Sequence, residues 1–118
     1  MPKNHASRLI FASSDLSADM LYATGFSVPD PFLYLEQNGQ KTILLSDLEI
    51  GRGRKQATVD EVVSLSAIQD PLEKRLKKKP TIEQSVTRFL RKRRVKRAEV
   101  PADFPLGLAV ALDRKSVV

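Results

Sequence analysis

The sequence predicts an α/β domain of three layers, in which helices cover both faces of a mixed β-sheet. Near the N-terminus, the apolar run from Arg8 to Ala12 predicts a strand buried on both faces, and a helical pattern follows it directly. An Asn38-Gly39 pair between two apolar runs predicts a β-hairpin, which makes the sheet mixed rather than wholly parallel. Strand-like and helix-like segments continue to alternate along the rest of the chain.

The first helix is predicted to run up to Thr24, because Leu16, Met20 and Ala23 fall on one helical face. Its N-terminus is expected to be capped by one of three side-chain oxygens, from Ser13, Ser14 or Asp15. Gly25 ends the helix, since glycine tolerates the left-handed conformation that closes a helix. Two prolines follow within six residues and bias the chain toward the extended geometry of the next strand.

The hairpin is the clearest local pattern in the sequence, within "FLYLEQNGQKTILLS". Asn38 and Gly39 both tolerate positive φ and are the preferred pair for a two-residue type I′ turn. This turn places Glu36 opposite Lys41, an oppositely charged pair across the two strands.

A short helix is predicted after the hairpin, because Ser46 and Glu49 have the spacing of a capping box. Glycines at positions 51 and 53 weaken this helix. The β-branched run from Val59 to Leu65 predicts a strand. Pro71 is expected at the first position of the following helix, a place where proline is tolerated.

Pro80 ends that helix, and Thr81 with Gln84 forms a second capping box for the next one. Apolar residues then recur at helical spacing, at Ile82, Val86, Phe89 and Leu90. Three elements complete the prediction: a short strand over Arg94–Val100, a helix capped by Asp103, and a strand that begins at Ser116.

Length and composition indicate that residues 1–118 form a single α/β domain of a soluble, cytoplasmic protein. The chain has no cysteine, so disulfides and thiolate metal sites are excluded. The apolar run near the N-terminus is too short for a signal peptide, and "LGLAVAL" is too short to span a bilayer.

The net charge of +6 lies in the second half of the chain. Residues 61–118 carry fourteen Lys/Arg against seven Asp/Glu, and the basic helix with its following segment, residues 81–97, contributes many of these cations. The cations could bind phosphate groups, or they could be the solvated faces of two amphipathic helices. The intact apolar spacing favours solvated faces. We therefore expect no specific nucleic-acid binding, only attraction at low salt that fades as salt rises.

No catalytic, cofactor-binding or metal-ligating residue is predicted in this chain. His5 is the only histidine and lies near the terminus, without a second ligand at suitable spacing. The "GRGRK" segment lacks the length and the Ser/Thr of a phosphate-binding loop, and no nucleophile elbow is present. In "LYATGF", Tyr22 and Phe26 are expected to be core anchors around the helix end.

The segment "DMLYATGFSVPDPFLYLEQNGQKTILLSDLEIGR" resembles the N-terminal domain of the creatinase/prolidase family, which includes Xaa-Pro aminopeptidases and Xaa-Pro dipeptidases. A family-like Y-x-T-G-F motif is formed by four residues, Tyr22, Thr24, Gly25 and Phe26. A hairpin and a D-x-E-x-x-R-like stretch follow, matched by Asp47, Glu49 and Arg52, and "EVPADFPLGLAVAL" resembles a later segment of that domain. The strongly basic helix departs from the family pattern.

The resemblance implies a ribonuclease-H-like α/β domain that precedes a larger catalytic domain of pita-bread fold. That domain would hold two divalent metal ions, manganese or cobalt, through two Asp, one His and two Glu, and would cleave peptides with proline in second position. This chain would then be a fragment without the catalytic domain, whose partners are that domain, a proline-containing peptide and further copies of the protein. The alternative is a free-standing α/β module that binds nucleic acid or another polyanion through its basic helices.

Overall fold

The described part of the chain, residues 7–114 of a computed structural model, folds into five strands and five α-helices. The elements are β1 (Ser7–Ala12), α1 (Ala18–Thr24), β2 (Phe32–Gln37), β3 (Gln40–Leu45), a 3₁₀ turn (Asp47–Glu49), α2 (Ile50–Gln56), β4 (Glu61–Ser64), α3 (Leu65–Leu76), α4 (Ile82–Lys92), β5 (Ala98–Glu99) and α5 (Leu106–Arg114). The strand predicted from Ser116 lies outside the described residues.

The strands form one sheet in the order β4-β3-β2-β1-β5. The pairs β1–β2 and β2–β3 are antiparallel, whereas β1–β5 and β3–β4 are parallel. The predicted mixed sheet is therefore confirmed. The two parallel pairs lie at the edges of the sheet. Their strands are not joined by tight turns, since parallel strands need a longer crossover connection, such as α2 between β3 and β4.

The hairpin has the predicted register, with Glu36 opposite Lys41 across β2 and β3. Asn38 and Gly39 form the turn with φ values of 53° and 81°. Both values are positive, as a type I′ turn requires.

Helices cover both faces of the sheet, which confirms the three-layer arrangement. Leu9 and Ile10 are adjacent in β1 yet belong to different apolar clusters, since successive strand residues point to opposite faces. The first cluster includes residues of α3, α4 and α5, such as Ile68, Phe89 and Leu112. The second cluster packs against α1 and α2 and contains Met20, Phe26, Phe32, Tyr34 and Leu45.

The start of α1 differs from the prediction. Its N-cap is Ser17, whose hydroxyl accepts a hydrogen bond from the Met20 amide at 3.1 Å. Ser13 and Ser14 instead bind the backbone of Val28, so they join the β1–α1 connection to the chain after α1. Leu16 precedes the helix and is 90% exposed, so the prediction that it lies on the buried helical face is wrong.

The boundary between β4 and α3 also differs from the prediction. The strand ends at Ser64 and the helix begins at Leu65, so Pro71 lies inside α3 rather than at its first position. Pro71 has no amide hydrogen to donate to the carbonyl of Ala67, four residues earlier. Both residues are exposed, which lets water reach this carbonyl.

Predicted caps elsewhere have mixed outcomes. The capping box of α4 is confirmed: the Thr81 hydroxyl accepts from the Gln84 amide at 3.1 Å, and the Gln84 side chain accepts from the Thr81 amide at 2.9 Å. Ser46 makes no cap hydrogen bond with its side chain. Asp103 lies in a turn before α5, whose helix begins only at Leu106. The strand predicted over 94–100 is present but only two residues long.

Candidate functional site: the glycine junction and the basic groove

The Y-x-T-G-F motif forms a compact junction between α1 and the chain that leads to β2. Gly25 has φ 62°, and its amide donates to the Leu21 carbonyl at 2.7 Å, which closes the helix. The Thr24 hydroxyl donates to the Met20 carbonyl at 2.9 Å and accepts from the Phe26 amide at 3.2 Å. This hydroxyl thus directs the chain sharply into the core, where Phe26 is 1% exposed, as predicted.

Tyr22 lies outside the core, contrary to the prediction. Its side chain is 94% exposed, whereas Met20, two positions earlier in α1, is completely buried. Residues two positions apart lie on nearly opposite sides of an α-helix, so only one of them can face the sheet. Tyr22 is therefore available for contact with another molecule or domain.

Arg52 of α2 joins the second motif to the junction. Its guanidinium donates to the Glu49 carboxylate at 2.5 Å and to the carbonyl of Ser27 at 3.0 Å. It also lies over the Phe26 ring, 5.0 Å from the ring centre, in a cation–π contact. Two of the D-x-E-x-x-R residues thus hold α2 against the chain that follows the junction.

Asp47, the remaining residue of that motif, lies at the start of α3. Its carboxylate accepts a hydrogen bond from the Ser64 hydroxyl at 2.5 Å, and Ser64 is the N-cap residue of α3. Hydrogen bonds from Ser64 and then from Ser66 hold the pKa of Asp47 below its ordinary value, because they favour the charged form. This contact holds the 3₁₀ turn that contains Asp47 against the start of α3.

The described residues do not fit a metal centre. Between residues 7 and 114 there is no group of three or more His, Cys, Asp or Glu side chains that could hold a metal ion. A two-metal site needs several such ligands converging on one point. His5 lies outside the described residues.

Arg93 follows α4 and attaches this helix to the edge strand β4. Its guanidinium donates two hydrogen bonds to the Glu61 carboxylate, at 2.7 and 2.8 Å. The Arg93 guanidinium therefore holds the pKa of Glu61 below its ordinary value. Its backbone carbonyl also accepts from the Gln37 side chain at 3.0 Å, so Arg93 serves to position α4 on the sheet.

The solvated-face interpretation of the basic helices is confirmed in its apolar half. Val86, Phe89 and Leu90 of α4 are buried in the first cluster, while Arg88, Arg91 and Lys92 are exposed. Between α3 and α4, however, lies a groove of about 150 Å³ that the sequence interpretation missed. We call it the α3–α4 groove.

The α3–α4 groove is lined in part by Leu72 and Leu76 of α3 and by Gln84 and Thr87 of α4. Its remaining lining side chains are three arginines: Arg75 of α3, and Arg88 and Arg91 of α4. The spacing within α4 was visible in the sequence, because residues three apart share a helical face. The position of Arg75 beside these residues was not visible in the sequence, since it depends on where α3 begins and on how α3 packs against α4.

Solved structures of peptidases share this fold over nearly the whole chain. A prolidase from Pyrococcus horikoshii OT3 matches with a TM-score of 0.63 and 14% identity, covering 94% of this chain and 26% of its own. An Xaa-Pro aminopeptidase from Streptococcus pyogenes matches with a TM-score of 0.61 and 10% identity, covering 93% and 70%. A prolidase from Pyrococcus furiosus matches with a TM-score of 0.62 and 12% identity, covering 93% and 26%.

The fold is that of the creatinase/prolidase N-terminal domain. The chain spans about a quarter of the length of the two prolidase chains. No protein-family model and no curated protein sequence matches it. At 10–14% identity, the similarity to these structures establishes the fold alone. The further resemblance to the family rests on the short sequence motifs named above. Within residues 7–114 no helix has the length and apolar character needed to cross a membrane.

Proposed function

We propose that this chain is the non-catalytic N-terminal domain of a longer, cytoplasmic Xaa-Pro-cleaving metallopeptidase, an aminopeptidase or dipeptidase. The observation that carries the proposal is the match over 93–94% of this chain to prolidase chains about four times as long. The ordered Y-x-T-G-F, hairpin and D-x-E-x-x-R-like motifs support it, because Phe26 packs in one cluster with hairpin residues and Arg52 lies over its ring.

The contacts of the motif residues support the proposed non-catalytic role. Arg52 and Glu49 are paired with each other, and Asp47 accepts a hydrogen bond from Ser64, the N-cap residue of α3. Each is engaged in holding elements together and is not free to activate water. The described residues also offer no group that could hold a divalent metal, so we assign the two metals, manganese or cobalt, to the proposed catalytic domain.

In the proposed protein this domain shapes access to the neighbouring active site and contributes to oligomer contacts. Tyr22 supports this role, since a motif residue that is 94% exposed contributes little to the core of its own domain. Leu48, in the 3₁₀ turn before α2, is similarly exposed at 93%.

We expect this chain alone to cleave no Xaa-Pro peptide, and the protein from its complete reading frame to cleave one in the presence of manganese or cobalt. Hydrolysis of a peptide with proline in second position is followed for both proteins, with and without a chelator. The physical reason is that hydrolysis requires convergent metal ligands that residues 7–114 do not provide.

Metal-dependent turnover by this chain alone would overturn the non-catalytic role. A complete reading frame that encodes no further domain, or one inactive with all five ligands present, would overturn the proposed peptidase function. In the first of those cases the free-standing polyanion-binding module becomes the better interpretation. Tyr22→Ala in the complete protein tests the proposed domain contacts. Because the Tyr22 side chain is exposed, the substitution should leave the fold of this domain unchanged.

A further inference from the structure

The two helices that form the α3–α4 groove, and the segments next to them, carry a large excess of positive charge. Residues 65–97 contain twelve Lys/Arg and three Asp/Glu, whereas the remainder of the chain carries more acids than cations. Of these twelve cations, Arg93 alone forms an ion pair within 4 Å among the described residues, and it does so outside the groove. Concentrating so many like charges on two adjacent helices costs stability through repulsion. A bound anion would relieve that repulsion.

The groove gathers the side chains best suited to a phosphate group. Arg75, Arg88 and Arg91 line it, and no acidic side chain does. A guanidinium presents a planar fork of donors that matches two phosphate oxygens, and it remains charged at every physiological pH. The Thr87 hydroxyl lies in the same lining and is an additional possible donor.

The size of the groove suits a small ligand. A volume of about 150 Å³ accommodates a compact group rather than a folded polymer. No aromatic side chain lines it, and Phe89, the aromatic residue of α4, is 1% exposed beneath the surface. Nucleic-acid bases bind single-strand sites largely by stacking on aromatic rings, so this groove offers no platform for them.

We propose that the α3–α4 groove is a binding site for a short oligophosphate, a ligand with two or more linked phosphate groups and no requirement for a base. The three arginines hold its phosphate oxygens through paired hydrogen bonds. The surrounding lysines, on the α3–α4 connection and after α4, raise the local concentration of the anion without touching it. The site is independent of the proposed peptidase function, since it uses the opposite side of the sheet from the motif junction.

The test is calorimetric titration of the whole chain with inorganic tripolyphosphate, in metal-free buffer at about 0.15 M salt, where attraction at a distance is largely screened. The groove variant carries three substitutions, Arg75→Gln, Arg88→Gln and Arg91→Gln. We expect it to weaken binding by about tenfold or more, because the forked contacts are lost.

A matched control removes the same charge from the end of α4 and the segment after it, outside the groove, with Lys92→Gln, Lys96→Gln and Arg97→Gln. These side chains are exposed and do not line the groove. We expect the control to weaken binding by no more than about threefold, because these charges attract the ligand only from a distance and salt screens that attraction. Equal losses in the two triple variants would overturn the proposal, since they would show that charge alone attracts the ligand.

Further measurements test the binding geometry and the class of ligand. Replacing the three groove arginines by lysine keeps the charge and removes the fork, so binding should weaken severalfold, and unchanged binding would contradict the proposed geometry. A single-stranded oligouridylate that binds while tripolyphosphate does not would show that the ligand is a nucleic acid, and would also overturn the proposal. If the groove variant fails to fold by circular dichroism, Arg88→Gln against Lys92→Gln makes the same comparison with one substitution each.

Discussion

Replacing Phe26 by alanine should lower the free energy of unfolding by about 3–5 kcal/mol, whereas Tyr22→Ala should change it by no more than about 0.5 kcal/mol. The two aromatic residues stand four positions apart in one motif, yet one is 1% exposed and the other 94% exposed. Phe26 packs edge-on against Phe32, with ring centres 6.4 Å apart, and under the guanidinium of Arg52. Its truncation therefore leaves a cavity in the second cluster and also removes an aromatic contact.

Urea unfolding followed by circular dichroism measures both variants against the unsubstituted chain. Phe26→Leu provides a milder variant if Phe26→Ala leaves no folded protein. Comparable losses for Tyr22→Ala and Phe26→Ala would mean that the Tyr22 side chain is buried in solution, contrary to this structure.

The two glycines of α2 should respond in opposite directions to alanine. A Cβ atom at Gly53 would overlap the Leu45 Cδ1 atom and would also lie 3.6 Å from Val62 and 3.7 Å from Phe26. Leu45 is 1% exposed, so its side chain can move only if neighbouring core side chains shift with it. We expect Gly53→Ala to cost about 1–3 kcal/mol of stability through overpacking.

Gly51→Ala is the matched control, two residues away in the same helix. Nothing lies within 4 Å of a Cβ atom at Gly51, so only the backbone effect remains. Alanine in place of glycine should stabilise the helix by up to about 1 kcal/mol. Melting temperatures from calorimetry should therefore fall for Gly53→Ala and rise for Gly51→Ala. A shift of the same sign in both would show that α2 does not pack this closely on the sheet.

Features determined by neighbouring residues could be predicted from the sequence. The hairpin turn at Asn38-Gly39, the left-handed cap at Gly25 and the capping box of Thr81 with Gln84 each depend on chemistry within four residues. The sheet's mixed character follows from the hairpin. These predictions succeeded because local conformational preference and the final fold agree.

Features determined by distant contacts could not be predicted in the same way. The β4–α3 boundary is set by pairing with β3, where Ser64 lies opposite Leu45, and this pairing overrides the preference of Pro71 for a helix start. The exposure of Tyr22 depends on which side of α1 faces the sheet. The α3–α4 groove needs both helices in position, so no single segment of sequence contains it.

The pairing of β1 with β5 has a consequence for the order in which the sheet assembles. The hairpin strands are joined by two residues, but β1 and β5 come from opposite ends of the described chain and share two residue pairs, Ser7 with Ala98 and Arg8 with Glu99. Closing so long a loop costs more chain entropy than closing a hairpin, and few contacts compensate for it. This edge should therefore form last and open first, with fast hydrogen exchange at the Ser7 amide, which donates to the Arg97 carbonyl at 2.9 Å, and slow exchange in β2.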